Sequence, residues 1–287
     1  MWIIFSLVAA LSETAKDTFG KTSVIKTDEY TSAMCLHITT LFISTILVIF
    51  TGIPKIISIF WVGSLAFLFI TPLWTLLYMR ALKISPLSIT LPMMAFNPIF
   101  TALLAFVFKG KIPDLSGWIG ILSISIGIYF VNANNTKMLD FSTNIKNIFQ
   151  DKGAMAMLGV AFLWSLGAHF SKMRVDGSSA LFSTFTGGLI GVLTTFIIAI
   201  LRKQKISLSN TKSSYKHLLP MSVFYYIATI SSSIALSTGS AAYVFSIKRG
   251  SILFSAFTGK LIFNEVFSLW KYIGLFMIGV GIIAISL

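Results

Sequence analysis

Ten apolar segments follow one another along the chain, and most of the connections between them are short. A membrane-spanning helix needs roughly 17–25 mostly apolar residues. In lipid such a segment must be helical, because its backbone finds no water to bond. The sequence therefore predicts an all-α, polytopic membrane protein with ten transmembrane helices. The predicted segments are 2–23, 31–52, 56–79, 86–108, 113–132, 155–174, 179–201, 217–237, 240–263 and 267–286.

The composition indicates lipid as the main solvent. Hydrophobic residues make up 56% of the chain, charged residues only 11%, and the mean hydropathy is +0.88. A soluble domain is about 45–50% apolar and about 25% charged. The net charge of +13 would suggest nucleic acid as a partner of a soluble protein. Here the Lys and Arg residues lie mainly between apolar segments, where they contact lipid headgroups. We expect membrane lipid as a partner and no nucleic acid.

The sequence gives no support for metal or cofactor chemistry. Cys35 is the only cysteine, so an internal disulfide or a cysteine-based zinc cluster is excluded. His37, His169 and His217 are far apart and lack metal-ligand spacing. No nucleophile elbow, Walker loop or nucleotide fingerprint occurs. We expect no catalytic residues, no metal, no cofactor and no ATP-driven step.

The two halves of the sequence repeat each other. Residues 81–133 align with 235–287 without a gap, at a constant offset of 154. Pairs of glycines coincide in this register, which apolar composition alone rarely produces. The coinciding glycines are Gly120 with Gly274 and Gly127 with Gly281. We expect these glycines to mark small-residue faces for close helix packing.

The repeat unit contains five helices, and this odd number sets its topology. The second unit must enter the membrane from the opposite side, so the halves are related by a pseudo-two-fold axis in the membrane plane. Many secondary transporters are built this way, with a substrate site near the midplane. We predict a first repeat at 1–132, a polar linker at 133–153 and a second repeat at 154–287.

The first predicted helix carries unusual charges. Glu13, Lys16, Asp17 and Lys21 fall within it, at i,i+3 and i,i+4 spacings that allow ion pairs. Charges at membrane depth are costly and usually face a polar cavity. In one interpretation this face lines the pathway, with Glu13 and Lys16 contacting substrate and Glu13 or Asp17 coupling protons. In the other, the helix leaves the membrane near Ser12 and the charges form interfacial ion pairs.

The ninth predicted helix carries two adjacent cations, Lys248 and Arg249, near the bilayer centre. Adjacent cations repel and need an anionic partner. Arg offers a planar fork to phosphate or carboxylate, and Lys offers a point charge. The partner is either a substrate or the acidic residues of the first helix.

Four further polar residues complete the candidate substrate site. His169 can bind substrate or relay a proton near neutral pH, although a lone histidine more often bonds a neighbouring helix. In the fourth helix, prolines allow a kink around a cavity. Trp164 is either a cavity wall or, as we favour, packing. The four residues are Asn97, His169, Tyr243 and Ser251.

Residues 81–131 and 235–287 resemble the drug/metabolite transporter superfamily in its ten-helix, EamA-type form. Each stretch begins with Ala-Leu and continues through a long helix to a Gly-bearing final helix. In this family a Gly-x-Glu-like turn lies between the two helices. Glu265 occupies its acidic position, whereas the first copy departs with Lys109-Gly110-Lys111.

The Lys248-Arg249 pair resembles the pair that holds phosphate in the sugar-phosphate/phosphate translocators of this superfamily. The resemblance implies an anionic or phosphorylated substrate. It also implies a central cavity lined by helices 1, 3, 4, 6, 8 and 9, with both termini in the cytoplasm. The loop charges, read by the positive-inside rule, favour both termini outside; we adopt the family orientation.

Three functions follow as hypotheses. The first is a secondary transporter or exchanger of a small anionic metabolite in a bacterial inner membrane, as a monomer or homodimer, with a proton or counter-substrate as its driving partner. The second is a proton-coupled exporter of amino acids or drug-like compounds. The third is a non-transporting scaffold or receptor, which polar groups at membrane depth argue against.

Overall fold

A computed structural model of the chain describes residues 1–23, 29–85, 90–110, 113–132, 151–203, 211–263 and 267–287. These residues form helices and connecting turns, with no strand among them. The helices are α1 (Trp2–Ser23), α2 (Glu29–Thr51), α3 (Ser58–Ile84), the 3-10 helix Leu91–Ala95, α4 (Phe96–Lys109), α5 (Leu115–Asn132), α6 (Lys152–Asp176), α7 (Ala180–Leu201), α8 (Thr211–Thr238), α9 (Ala241–Arg249), α10 (Ser251–Phe263) and α11 (Leu269–Ser286).

The helices suit a lipid environment. Six of those described are long and apolar enough to cross a membrane, and two shorter apolar helices accompany them. Large apolar side chains cover their outer surfaces: Phe50 is 83% exposed and Phe276 is 73% exposed. Such exposure is unfavourable in water but ordinary against acyl chains. The chain is a multi-pass integral membrane protein.

Two predicted spans are not continuous helices. The fourth consists of the 3-10 helix followed by α4, and the ninth consists of α9 followed by α10. In the fourth span the chain changes from 3-10 to α-helix after Ala95 with the backbone still helical, and in the ninth span α9 ends at Arg249. These two helix breaks are equivalent in the repeat register because 249 − 95 = 154. The predicted span 240–263 is thus made of two helices that meet at Gly250. A β-carbon at Gly250 would lie 2.6 Å from Ile282 Cδ1, so this turn needs glycine.

The described chain forms two compact units, and each takes helices from both halves of the sequence. One unit, the α1–α8 unit, combines Met1–Pro72 with Phe170–Ser240. The other, the α5–α11 unit, combines Leu73–His169 with Ala241–Leu287. Helices α3 and α6 contribute to both units.

In the α1–α8 unit, α1 packs along α8, and α2 packs on α7 and α8. Phe19 and Phe224 stack where α1 meets α8, with ring centroids 5.8 Å apart. Glycine allows a close approach of α2 to α7, since a β-carbon at Gly188 would lie 2.9 Å from the backbone nitrogen of Leu41.

In the α5–α11 unit, the two final helices of the repeats pack directly on each other. A β-carbon at Gly120 would lie 2.7 Å from the Gly281 carbonyl, and one at Gly127 would lie 2.6 Å from the Gly274 carbonyl. The repeat register exchanges these two contacts, as a two-fold axis between antiparallel helices requires. Ser123 donates to the carbonyl of Met277, its own repeat equivalent, at 2.8 Å. The predicted inverted repeat and its packing glycines are confirmed here.

Candidate functional site

The helix break after Arg249 gathers several predicted site residues of the α5–α11 unit. Lys248 and Arg249 end the nine-residue helix α9. The last carbonyls of a helix carry partial negative charge, which favours cations in its final turn. The end of α9 therefore stabilises two adjacent cations. In an unbroken helix the carbonyls at this point would all be bonded within the helix.

Arg249 is held by two neighbours, Asn97 on α4 and Trp164 on α6. Its Nε donates to Asn97 Oδ1 at 3.0 Å. Its guanidinium carbon lies 5.0 Å from the centroid of the Trp164 ring, a cation–π distance. Trp164 also stacks on Tyr78, with centroids 6.0 Å apart. The ring that we assigned to packing therefore also supports the cation.

Asn97 is itself fixed by a second set of bonds. It is 2% exposed and lies in the first turn of α4, immediately after the 3-10 helix. Its Nδ2 donates to the Ala161 carbonyl and to Ser165 Oγ, both at 2.9 Å. Ser165 Oγ lies equally close to the Asn97 carbonyl, at 2.9 Å. Both amide donors of Asn97 are thus bound, and its oxygen is directed at Arg249.

The other residues near the break have separate contacts. Lys248 Nζ lies 5.8 Å from the Phe245 ring centroid. Ser251 is buried, 8% exposed, at the start of α10. Tyr243 donates its hydroxyl hydrogen to Asp114 Oδ1 at 2.8 Å. This bond and those from the Gly117 N–H and the Ser116 hydroxyl hold the pKa of the Asp114 carboxyl below its usual range.

His169 is buried between two helices of the α5–α11 unit. The ring is 3% exposed, and Nε2 lies 2.9 Å from the carbonyl oxygen of Thr101 on α4. Because a carbonyl only accepts, Nε2 carries the hydrogen. Phe108 stacks on the imidazole, with centroids 5.0 Å apart. His169 thus ties α6 to α4, as a lone histidine between helices commonly does.

Glu13, Lys16 and Asp17 belong to the α1–α8 unit, and they form a triad. Lys16 Nζ bonds Glu13 Oε1 and lies 2.9 Å from Asp17 Oδ1. The side chains of Lys16 and Glu13 are 19% and 22% exposed, and that of Asp17 is 54% exposed. Helix α1 continues through the triad to Ser23 without a break. Two carboxylates and one ammonium give the triad a net charge of −1.

Sequence reasoning missed four residues that form buried or capping polar contacts in the structure. Ser165 lies in the segment noted for His169, and only its pairing with Asn97 gives it a role. Asp114 was overlooked, although an Asp immediately before an apolar helix is a recognisable N-cap signal. Lys172 and Arg174 lie within α6 and are buried, and sequence reasoning gave neither of them a role. Lys111, Glu265 and the linker 133–150 lie outside the described residues.

The fold and this break define a class of protein. A membrane protein with an inverted repeat, and with interrupted helices at equivalent positions of both copies, has the construction of a secondary transporter. The chain belongs to the EamA-like transporter family, whose sequence profile matches residues 1–133 and 151–287. The resemblance to the drug/metabolite transporter superfamily is thereby confirmed.

Individual relatives add detail. Over 57 residues the chain is 37% identical to the probable 4-amino-4-deoxy-L-arabinose-phosphoundecaprenol flippase subunit ArnE of Yersinia pestis (strain Pestoides F). The same holds for the ArnE of Yersinia pseudotuberculosis serotype O:3 (strain YPIII). The match covers 20% of this chain and 50% of each relative, so the chain spans about half the length of the curated relatives it matches.

A solved structure shares the fold over nearly the whole chain. It is described only as the crystal structure of a protein, and it superimposes with a TM-score of 0.76 at 13% sequence identity. The superposition covers 99% of this chain and 95% of the other. At that identity the likeness concerns the fold alone.

Proposed function

We propose that this protein is a secondary transporter of a small anionic, phosphorylated metabolite, working by alternating access in a bacterial cytoplasmic membrane and leaving its substrate chemically unchanged. The observation that carries the proposal is the fixed guanidinium of Arg249 at the end of a broken helix, beside Lys248. The family supports transport, and the cation pair supports the substrate class.

The geometry around Arg249 favours an anion with several oxygens. The bond from Nε to Asn97 fixes the plane of the guanidinium, and the Trp164 ring restricts its tilt. A fixed guanidinium presents a rigid set of N–H donors that matches the oxygen spacing of phosphate. Lys248 supplies a second positive charge from the next residue. Binding an anion relieves the repulsion between the two cations.

The ArnE name gives independent support for this substrate class. It describes an amino sugar joined through phosphate to undecaprenol. A phosphate group next to a sugar is the chemistry that the Lys248–Arg249 pair is suited to recognise. Because the match covers a fifth of this chain, only the phosphate chemistry is carried over, and the lipid is left out.

Uptake into proteoliposomes tests the proposal with a panel of sugar phosphates, nucleotides, phospho-amines and amino acids. Arg249→Ala should raise the Km for the transported anion about 10- to 100-fold, since a hydrogen bond to a charged group contributes roughly 1.5–3 kcal/mol. Lys248→Ala should act in the same direction. Lys55→Ala removes an exposed lysine outside the helices and should leave uptake unchanged. Anion uptake that is intact in both Lys248→Ala and Arg249→Ala would show the assignment to be wrong.

A second function is supported by the triad on α1. Its net charge of −1 and its partial burial suit a site that gains a proton or binds an amine. We therefore keep proton-coupled export of amino acids or drug-like compounds as the alternative. It predicts uptake or efflux that follows a pH gradient and is lost in Glu13→Gln and Asp17→Asn. Transport that ignores the gradient but responds to Arg249→Ala would reject this alternative and support the first.

A further inference from the structure

The α1–α8 unit contains a buried guanidinium that the proposed function does not use. Arg174 lies in the last turn of α6 and is 2% exposed. Its Nη2 donates to the Ser183 carbonyl and, at 2.8 Å, to Thr186 Oγ1, both on α7. The Phe67 ring of α3 lies 4.8 Å from the guanidinium carbon. All of these partners are electrically neutral.

Lys172, two residues earlier on the same helix, shows what a compensated buried cation looks like. Its Nζ pairs with Asp176 Oδ1 at 2.6 Å and also donates to the Leu236 carbonyl. Within the described ranges no carboxylate pairs with Arg174. Its Nε is buried and has no hydrogen-bond partner among the described residues. An uncompensated buried charge is strongly unfavourable, and an unbonded buried donor adds to the cost.

The surrounding helices are shaped to admit this side chain. A β-carbon at Gly187 of α7 would lie 3.2 Å from Arg174 Nη2, and one at Gly63 of α3 would lie 3.0 Å from Arg174 Cγ. Both positions carry glycine, so the guanidinium and its stem lie directly against helix backbone. Among the described residues, the site thus combines a charge that no carboxylate pairs with and one unsatisfied donor, Arg174 Nε.

We propose that Arg174 is the centre of an anion-binding site in the α1–α8 unit, and that its ligand is a small inorganic anion of the size of chloride or nitrate. The ligand supplies the missing negative charge and accepts from Nε. The anion must be small, because helices α3, α6 and α7 enclose the guanidinium. The site is separate from Arg249, which belongs to the other compact unit, so it does not rest on the proposed function.

The test is thermal unfolding of the purified protein in neutral detergent at constant ionic strength. Sodium gluconate, whose anion is too large, is replaced stepwise by chloride or nitrate. Binding should raise the Tm by roughly 2–4 °C when the free anion reaches about five times its Kd, and by more at higher concentration, on the usual scale for a chain of this size. Broadening of the ³⁵Cl NMR line reports chloride binding directly. Arg174→Gln should abolish both responses.

Three variants separate the outcomes. Gly187→Ala keeps the charge but crowds Nη2, so it should weaken the anion response even if Arg174→Gln does not fold. Lys172→Gln removes the compensated cation and should retain the response. Arg249→Gln should retain it as well. The proposal is overturned if wild-type protein unfolds identically in gluconate, chloride and nitrate. It is also overturned if the response survives Arg174→Gln. A response lost only in Arg249→Gln would reject the Arg174 site while leaving the proposed function in place.

Discussion

The contact between α5 and α11 allows a quantitative prediction, because the backbones of the two helices are in direct contact there. In Gly274→Ala the new methyl carbon would lie 2.6 Å from the Gly127 carbonyl oxygen and 2.8 Å from the Val131 nitrogen. Neither backbone atom can rotate away, so the two helices must separate. Overpacking of this kind costs roughly 1–3 kcal/mol. In lipid the lost packing between the two helices lowers stability by its full amount, since helix association there depends on close packing.

Gly279, on the same helix, is the matched control. Its nearest neighbour would be Leu253 Cδ1, at an ordinary 3.8 Å. Gly279→Ala should therefore be neutral or stabilising by up to about 1 kcal/mol, from helix propensity. Gly120→Ala is the repeat equivalent of Gly274→Ala. It faces the Gly281 carbonyl at 2.7 Å and should destabilise by a similar amount.

The measurement is the equilibrium free energy of unfolding in mixed micelles of a mild detergent and sodium dodecyl sulfate, followed by Trp fluorescence. Gly274→Ala and Gly120→Ala should agree within about 0.5 kcal/mol, the usual error of additive comparisons, and both should fall below Gly279→Ala. The reasoning is refuted if Gly279→Ala is as destabilising as Gly274→Ala. A large difference between the two repeat-equivalent variants would refute the two-fold symmetry of the contact.

Three further predictions concern polar contacts. Because the pKa of Asp114 is lowered, its hydrogen bonds stabilise the folded state at pH values above the ordinary carboxyl pKa, and this contribution is lost as the pH falls through the pKa of the folded state. Tyr243→Phe removes one of these bonds, so it should reduce the loss of Tm between pH 5 and pH 3. This pH range brackets the usual carboxyl pKa of about 3.9. Lys16→Met removes the ammonium that lies between two carboxylates and should lower stability by about 1–3 kcal/mol at neutral pH, whereas Glu13→Gln should cost less, as chemical denaturation can show. Asn97→Ala removes the acceptor of Arg249 Nε and should raise the Km for the transported anion. In a double-mutant cycle of uptake this increase should disappear in the Arg249→Ala background, because Asn97 acts through Arg249.

The sequence predicted the spans well because lipid solvation acts on each segment separately. The first helix was expected at 2–23 and is observed at Trp2–Ser23. A kink was expected in the proline-bearing fourth span, but the break at Gly250 was not predicted, because hydropathy sums side chains and does not register backbone hydrogen bonds. The 3-10 helix Leu91–Ala95 is as apolar as its neighbours, and Gly250 is one glycine among 20.

The sequence identified candidate residues for the site but not the contacts between them. Lys248, Arg249 and Asn97 were chosen individually as polar groups in apolar segments. That Arg249 bonds Asn97 depends on contacts 152 residues apart, which no single-sequence pattern reports. Arg174 was missed for the opposite reason. It lies at the end of a span, where a basic residue is ordinary, and its burial becomes visible only when α3 and α7 are placed around it.

The equivalence of the two helix breaks has a consequence for how such a site can arise. In an assembly of two identical five-helix chains, a Lys-Arg pair at this position would occur twice about the symmetry axis. The four like charges would then have to be neutralised together. With both copies in one polypeptide, the equivalent of Arg249 is Ala95, and the break is retained without its charge. Joining the two copies in one chain thus allows one helix break to hold an anion while the equivalent break stays neutral. Two positive charges then need compensation instead of four, and the site is no longer symmetric about the two-fold axis.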